Sequence, residues 1–533
     1  MNKLLVANRG EIALRVFRAA RALGVATVAV VAPDDQRALH AREADETLQI
    51  SSYLDAAEHV RAARETGADA IHPGYGFLAE SGDFADAVIA AGLTWVGPTP
   101  DALRAGGDKL AAKRIAREAG VPVVPDGVGA GFPLLVKAAA GGGGRGMRVV
   151  RSPDELDEAI AAAKREAQSA FGDDRVYMER YVERPRHVEI QLLADTHGTV
   201  LALGERECSV QRRHQKVLEE SPSPALDPDL RAQMSDAAVR FARAIGYTGA
   251  GTAEFVLSGR EFFFLELNAR IQVEHPVTEA VTGVDLVQWQ LRIADGATLD
   301  LGPTPLLGHA VEVRLYAEDP RTFLPQAGQI SRLRLPDGIR VESGVAEGDE
   351  VGTGYDPMIA KLIAHGGTRD EALEKLAAAL AETEVGGVTT NLPFLRWLVA
   401  HPALRAGETT TAFLTEHPPL SAPSPLPPRV WREPFRLNLP SPPLAAPPDV
   451  DDAAGEHAAG EQSSTLTAPM PGTVIKVMAT PGAQVKAREP LVVLEAMKME
   501  TPLVSPYDAT VRSVHVQEGD RVAGGAVLVE LDD

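Results

Sequence analysis

The 533-residue chain has a single cysteine, Cys208, so it has no internal disulfide and no thiolate metal cluster. That thiol reads as buried and inert, suited to a reducing compartment. No apolar run approaches the ~20 residues that span a bilayer, and Leu4-Leu5-Val6-Ala7 is too short for a signal-peptide core. It reads instead as a first buried strand, and the chain as a cytoplasmic protein with no membrane partner. Positive charge is scarce: 53 Lys and Arg against 74 Asp and Glu leave a net charge of -21, which argues against general nucleic-acid binding. Any positive site must be local and cradle small anions. The turn Asn8-Arg9-Gly10-Glu11 lacks a GxGxxG pattern, which argues against a dinucleotide role.

What is present is ordinary for a globular protein, with 45% hydrophobic and 24% charged residues. The length suggests about three or four domains. Strand Lys3 to Ala7, helix Glu11 to Leu23 and strand Thr27 to Val31 are followed by Ala70-Ile71-His72 and Thr94-Trp95-Val96. Such alternation predicts a doubly wound parallel sheet. Strands Leu134 to Ala138 and Met147 to Val150 then flank a glycine-rich loop, with a helix from Asp154 to Ala170. Residues 418 to 464 are rich in proline, alanine and acids without apolar period, and read as a linker. Its roughly 46 residues (464 minus 418) give a coil reach on the order of 35 to 40 Å.

The C-terminal segment repeats itself at an offset of 37 positions (510 minus 473): Thr473, Val474, Val477, Gly482, Val485, Leu491 and Leu494 match Thr510, Val511, Val514, Gly519, Val522, Leu528 and Leu531. Two similar β halves therefore pack together. Glu495-Ala496-Met497-Lys498-Met499-Glu500 lies between them, placing Lys498 at a hairpin tip where an amine stands clear for modification. A lysine on a turn is usually only solvated; here the duplicated setting and the upstream Ala468-Pro469-Met470-Pro471-Gly472 change the reading.

Lys137 ends a strand before Gly141-Gly142-Gly143-Gly144, whose bare backbone amides suit phosphate oxygens. Glu254 and Glu266, on strands Thr252 to Leu257 and Glu261 to Asn268, fall opposite each other if the hairpin is symmetric about residue 260. Adjacent carboxylates repel unless a cation lies between them, which implies Mg²⁺, with Asn268 on the same side. The following Arg270, Gln272, Val273, Glu274 and His275, with Gln211-Arg212-Arg213-His214-Gln215-Lys216, suit a small anionic substrate.

With His72-Pro73-Gly74-Tyr75-Gly76-Phe77-Leu78 added, these motifs resemble the biotin carboxylases of the ATP-grasp superfamily, over roughly residues 1 to 417. The segment 465 to 533 resembles a biotin carboxyl carrier domain. The combination is similar to the alpha subunit of biotin-dependent acyl-CoA carboxylases. The resemblance implies an N-terminal domain at 1–107, an ATP-grasp domain with mobile lid at 108–300, a carboxylase C-terminal domain at 301–417 and an all-β flattened barrel at 465–533. It implies ATP contacts from Lys109, Lys137, Gly142, Gly143, Gly144, Glu179, His187 and His214. Mg²⁺ (or Mn²⁺) would be held by Glu254, Glu266 and Asn268, and bicarbonate by Lys216, Arg270, Gln272 and Val273. Glu274, Arg270, Lys216 and Arg314 would be catalytic, with Glu274 the base and Arg314 facing the ureido oxygen of biotin carried on Lys498.

The chain departs from the family pattern between Val124 and Phe132, where it is shorter by roughly one helix. No segment is left for a carboxyltransferase, so a separate beta subunit, a biotin protein ligase and a second copy of the chain are the expected partners. The acyl-CoA finally carboxylated is not legible. Two other readings stand beside this one: another ATP-grasp ligase with a lipoyl-like carrier, and a noncatalytic biotin-bearing scaffold.

Overall fold

The computed structural model describes residues 1–138, 147–171, 174–212, 215–421, 465–469, 472–496, 499–522 and 525–532. Gly142, Gly143, Gly144, His214, Lys498 and nearly all of the expected linker lie outside them.

Five parallel strands open the fold in the order Glu46–Gln49, Ala26–Val31, Lys3–Val6, Ala70–His72, Thr94–Trp95. Helices cover both faces of such a sheet, so central strands are continuously apolar rather than alternating. Accordingly Leu4, Leu5 and Val6 are all fully buried. The first helix runs Gly10–Ala22, one residue earlier than the apolar period alone suggested.

A small antiparallel sheet, Arg148–Val150, Leu134–Ala138 and Val176–Arg180, is backed by the helix Leu156–Phe171. The shortened segment before it contains a 3₁₀ turn at Val128–Ala130 and a single bridge from Asp126 to Glu179, with no α-helix.

The centre is an eight-stranded antiparallel sheet ordered Glu261–Asn268, Gly249–Ser258, Arg186–Ala194, Val200–Arg212, Gln215–Ser221, His309–Tyr316, Met358–Gly366, Arg340–Ser343. Leu218 pairs with Val313, so the segments on either side of residue 300 share one sheet. Val210, Val217 and Leu218 are packed in one core with Val311, Val313 and Leu362. Glu254 does pair with Glu266, but the turn is tighter than the symmetric reading assumed: Ser258 pairs with Glu261, and a bulge between Glu254 and Phe255 restores the register.

The carrier segment forms two four-stranded sheets, ordered Thr465–Thr467, Val527–Asp532, Ala509–Val514, Gln484–Val485 and Met499–Val504, Pro490–Ala496, Gly472–Val477, Arg521–Val522. Each strand of one sheet has its counterpart 37 positions away in the other, as for Gly472–Val477 and Ala509–Val514. Val474, Leu491, Leu494, Val511, Leu528 and Leu531 fill the shared core. Ala496 pairs with Met499, the last register pair of the strands Pro490–Ala496 and Met499–Val504.

Candidate active site

A cavity of about 830 Å³ lies against the central sheet, and Lys109, Lys137, Glu179, His187, Lys216, Glu254, Glu266, Asn268, Arg270, Gln272, Val273, Glu274 and Arg314 all line it. Thus the described residues expected to bind ATP, Mg²⁺ and bicarbonate face a single space, whereas Arg212, His275 and His72 do not line it.

Strand alternation sets this up. His187, Glu189 and Gln191 share one face of Arg186–Ala194, and Glu254 stands in register with Glu189 on the neighbouring strand. Lys216 enters from Gln215–Ser221 and reaches three acids: Glu189 at 2.5 Å, Glu254 at 2.8 Å and Glu274 at 2.6 Å. Arg206, fully buried, holds Glu189 at 2.5 Å and bonds Gln191, Thr252 and Thr278. Buried charges at this density persist only when paired.

Glu274 lies just before the helix His275–Thr282 and receives Lys216 on one oxygen and Arg314 on the other at 3.0 Å. Burial would raise its pKa, but Lys216, Arg314 and Arg206 together hold the carboxyl well below its ordinary range. Arg314 is also held at 2.7 Å by Glu219, which the sequence reading had not singled out.

Glu254 accepts Asn268 Nδ2 at 2.8 Å and Gln272 Nε2 at 3.1 Å on the oxygen that also takes Lys216. Its other oxygen lies 2.8 Å from His187 Nε2, an ion-pair contact rather than an aligned hydrogen bond. Asn268 spends its own oxygen on Arg270 at 2.9 Å. Opposite, Glu266 is pushed above its ordinary range by burial and by Glu254, with Lys109 acting against them. Among the described residues two donor sets converge within 4.8 Å, His187 with Glu189 and Glu254, and Glu189 with Cys208 and Glu274. Lys216 already neutralises both sets, whereas the Glu254–Glu266 pair still calls for positive charge. The carboxylate oxygens therefore fit a divalent cation on the Glu266 side.

Beside the small three-stranded sheet, Glu179 is clamped between Lys113 and Lys137, which keep its carboxyl low despite burial. Lys113 also stacks on Tyr177, 4.9 Å from the ring centre. At the other end Val273 gives its carbonyl to Lys361 at 2.8 Å, and Lys361 meets Glu11 at 3.1 Å, tying the Gln272–Glu274 turn to both the first and last segments of the body.

Lys113, Glu189, Arg206, Glu219 and Lys361 were missed by sequence reasoning. For Glu189 and Lys361 the one local signal is a charged residue inside an otherwise apolar run, as in Val188-Glu189-Ile190 and Ile359-Ala360-Lys361-Leu362; Lys113 lies on the helix Lys109–Glu118, and Arg206 and Glu219 have charged neighbours. Among the described residues no helix is long and apolar enough to cross a membrane.

A sheet-backed cavity that combines paired lysines, an acid pair and a buried Glu–Arg couple defines an ATP-grasp carboxylase. Family models agree in four stretches: "Biotin carboxylase, N-terminal domain" over 1–103, "Carbamoyl-phosphate synthase L chain, ATP binding domain" over 108–301, "Biotin carboxylase C-terminal domain" over 312–416 and "Biotin-requiring enzyme" over 464–531. The chain belongs to the family of biotin-dependent acyl-CoA carboxylase alpha subunits, in which a biotin carboxylase is joined to a biotin carrier domain.

It is 42% identical to the biotin-dependent acyl-coenzyme A carboxylase alpha3 subunit of Mycobacterium leprae, covering 99% of this chain and 98% of that one. It is 48% identical to the mitochondrial methylcrotonoyl-CoA carboxylase subunit alpha of Dictyostelium discoideum over 78% of its own length, and spans only 64% of that longer relative. The biotin carboxylase domain dimer of Hydrogenobacter thermophilus 2-oxoglutarate carboxylase, solved with MgADP, ADP and bicarbonate, matches with a TM-score of 0.75 and 43% identity, covering 78% of this chain and 98% of that one.

Proposed function

We propose that the chain carboxylates biotin carried on its own Lys498, using ATP and bicarbonate, and passes the carboxyl group to a separate carboxyltransferase subunit acting on an acyl-CoA. The observation that carries this reading is the convergence of Lys137, Glu254, Glu266, Lys216, Glu274 and Arg314 on one cavity.

Lys109, Lys137 and His187 bind the nucleotide phosphates, with Gly142, Gly143, Gly144 and His214 completing that shell by family resemblance. Glu254, Glu266 and Asn268 would hold Mg²⁺. The ion, when bound, offsets charge on the phosphoryl oxygens during transfer. Lys216, Arg270, Gln272 and Val273 surround bicarbonate. Glu274 takes the bicarbonate proton as a bicarbonate oxygen attacks the γ-phosphate and ADP leaves, giving carboxyphosphate, which breaks down to CO₂ and phosphate.

The pairing that keeps Glu274 a weak base in the resting site has a direct consequence. Its partners are the groups assigned to the substrates, Lys216 to bicarbonate and Arg314 to the ureido oxygen. As each substrate draws its cation away, Glu274 regains basicity while buried, so proton removal is coupled to occupancy. Biotin, when attached, would supply a ureido nitrogen that takes up the CO₂ while its N–H proton passes to the released phosphate. Arg314 stabilises the negative charge that develops on the ureido oxygen, and the closed site limits escape of CO₂ to water.

The test is ADP release by the full chain with free biotin, with and without bicarbonate, followed by co-purified partners assayed against acetyl-, propionyl- and methylcrotonyl-CoA. Strict dependence on bicarbonate is expected. ATP cleavage indifferent to bicarbonate would reject the assignment.

A further inference from the structure

Glu219 and Glu312 form a pair of buried acids of which only one has a cationic partner. They stand directly opposite each other on the adjacent antiparallel strands Gln215–Ser221 and His309–Tyr316. Opposed residues project from the same face with Cβ atoms about 5 Å apart. Both side chains are fully buried. Arg314, two residues along that face, donates Nε to Glu219 Oε1. The second oxygen of Glu219 and both oxygens of Glu312 are buried without a hydrogen-bond partner.

The charged groups around Glu312 are Lys361, Glu219, Arg314 and Glu274. Each cation is already engaged: Arg314 by Glu219 and Glu274, Lys361 by Glu11 and the Val273 carbonyl. Two ionised carboxylates only accept hydrogen bonds, so the opposed pair cannot bond to itself until one acid takes a proton. Arg314 favours the ionised form of Glu219. Glu312 has no cation of its own, and burial with the nearby acids pushes its carboxyl well up.

We propose that Glu312 is a neutral carboxylic acid whose O–H donates to Glu219, which makes it a positioning residue for Arg314. The shared proton occupies the free oxygen of Glu219 and leaves the other aimed at the guanidinium. Arg314 is thereby fixed beside Glu274, where the ureido group arrives; this last step rests on the proposed function, the protonation itself does not.

Infrared difference spectra of the full biotinylated chain, wild type against Glu312→Gln, read the proton without any turnover. A protonated-carboxyl stretch present at neutral pH and lost in the variant is expected; its absence from the wild type overturns the proposal, whatever the enzyme does. Kinetics read the positioning role. Glu312→Ala is expected to raise KM for free biotin roughly tenfold, about one hydrogen bond to a charged group, with KM for ATP unmoved. Glu312→Gln, which keeps a donor in place, should recover most of that loss. Equal impairment of the two variants, or equal shifts in KM for ATP and biotin, overturns the role. If Glu312→Ala does not fold, the infrared comparison still decides. A wild type that shows the band yet carboxylates no biotin rejects the functional reading and leaves the proton in place.

Discussion

The body and the carrier use their interiors in opposite ways. Among the described residues the carrier buries one polar side chain, Ser505, inside a core of valines, leucines and alanines. The body buries Glu189, Arg206, Glu219, Glu254, Glu274, Glu312, Arg314 and Lys361 in a continuous polar stratum across its central sheet. An apolar core needs only volume and pattern to hold together, whereas a buried ionic one fails wherever a single partner is lost. The body accepts that fragility because its charges do the chemistry. The carrier contributes a stable mount and one amine, so its surface, not its interior, is constrained by function.

The sharpest way to break this division is at the amine. Lys498→Arg should lose the entire biotin mass increment in protein produced with an active biotin ligase, read by intact-mass spectrometry. A biotin adduct persisting in that variant would place the attachment elsewhere and dissolve the contrast. Next in size is Glu274→Gln in the body. Loss of a general base should lower bicarbonate-dependent ADP release by about 10²- to 10⁴-fold, measured with free biotin so that the carrier plays no part. Ordinary turnover in that variant would strip the buried network of its assigned role.

The same division explains what could be read before the structure. Most of the parallel sheet was legible because its strands are local apolar runs, such as Leu4-Leu5-Val6 or Ala70-Ile71, with a helix between, whereas the polar edge strand Glu46–Gln49 was not. The carrier was legible because duplication repeats its pattern at a fixed offset. Glu254 and Glu266 were legible because a hairpin pairs residues near in sequence, although the bulge at Phe255 was not. The centre of the sheet was opaque. Leu218 meets Val313 across 95 positions (313 minus 218), and no local pattern specifies such a pairing. Glu189 and Lys361 were missed for the same reason: each is a charge in an apolar run until distant partners are placed beside it, and Glu219 stands out only once Arg314 is placed against it.

A third difference lies in pH response. His72 is fully buried, accepts the Gly74 amide at 2.9 Å and sits 3.2 Å from Gln290. Burial lowers its pKa from 6.5 to about 4, with Gln290 acting in the other direction. His40 is lowered to about 4 as well, chiefly by burial. The unfolded chain therefore binds these protons first, and the body loses stability as pH falls from 6.5 toward 4, with no contribution from either group above that window. A shift of this size corresponds to about 3 kcal/mol per histidine. The carrier's His515 is exposed. Calorimetry of the full chain should show the body's transition moving down with acid while the carrier's stays, and His72→Asn should flatten the body's slope. Transitions that fall together would end the contrast.

The smallest effect is expected where the carrier breaks its own rule. Ser505, fully buried, donates to the Tyr507 carbonyl at 2.6 Å. The repeat offers an internal control: 37 positions earlier (505 minus 37) stands Ala468, also buried, and both are followed by proline, Pro506 and Pro469. One half of the barrel thus already accommodates alanine at this corner. Removing a neutral side-chain hydrogen bond costs about 1 kcal/mol, so Ser505→Ala should lower the carrier's melting transition by only a few degrees and leave it independent of pH. A loss comparable to breaking an ion pair in the body would mean that the carrier's interior depends on a polar contact after all, and that the two regions differ in degree rather than in kind.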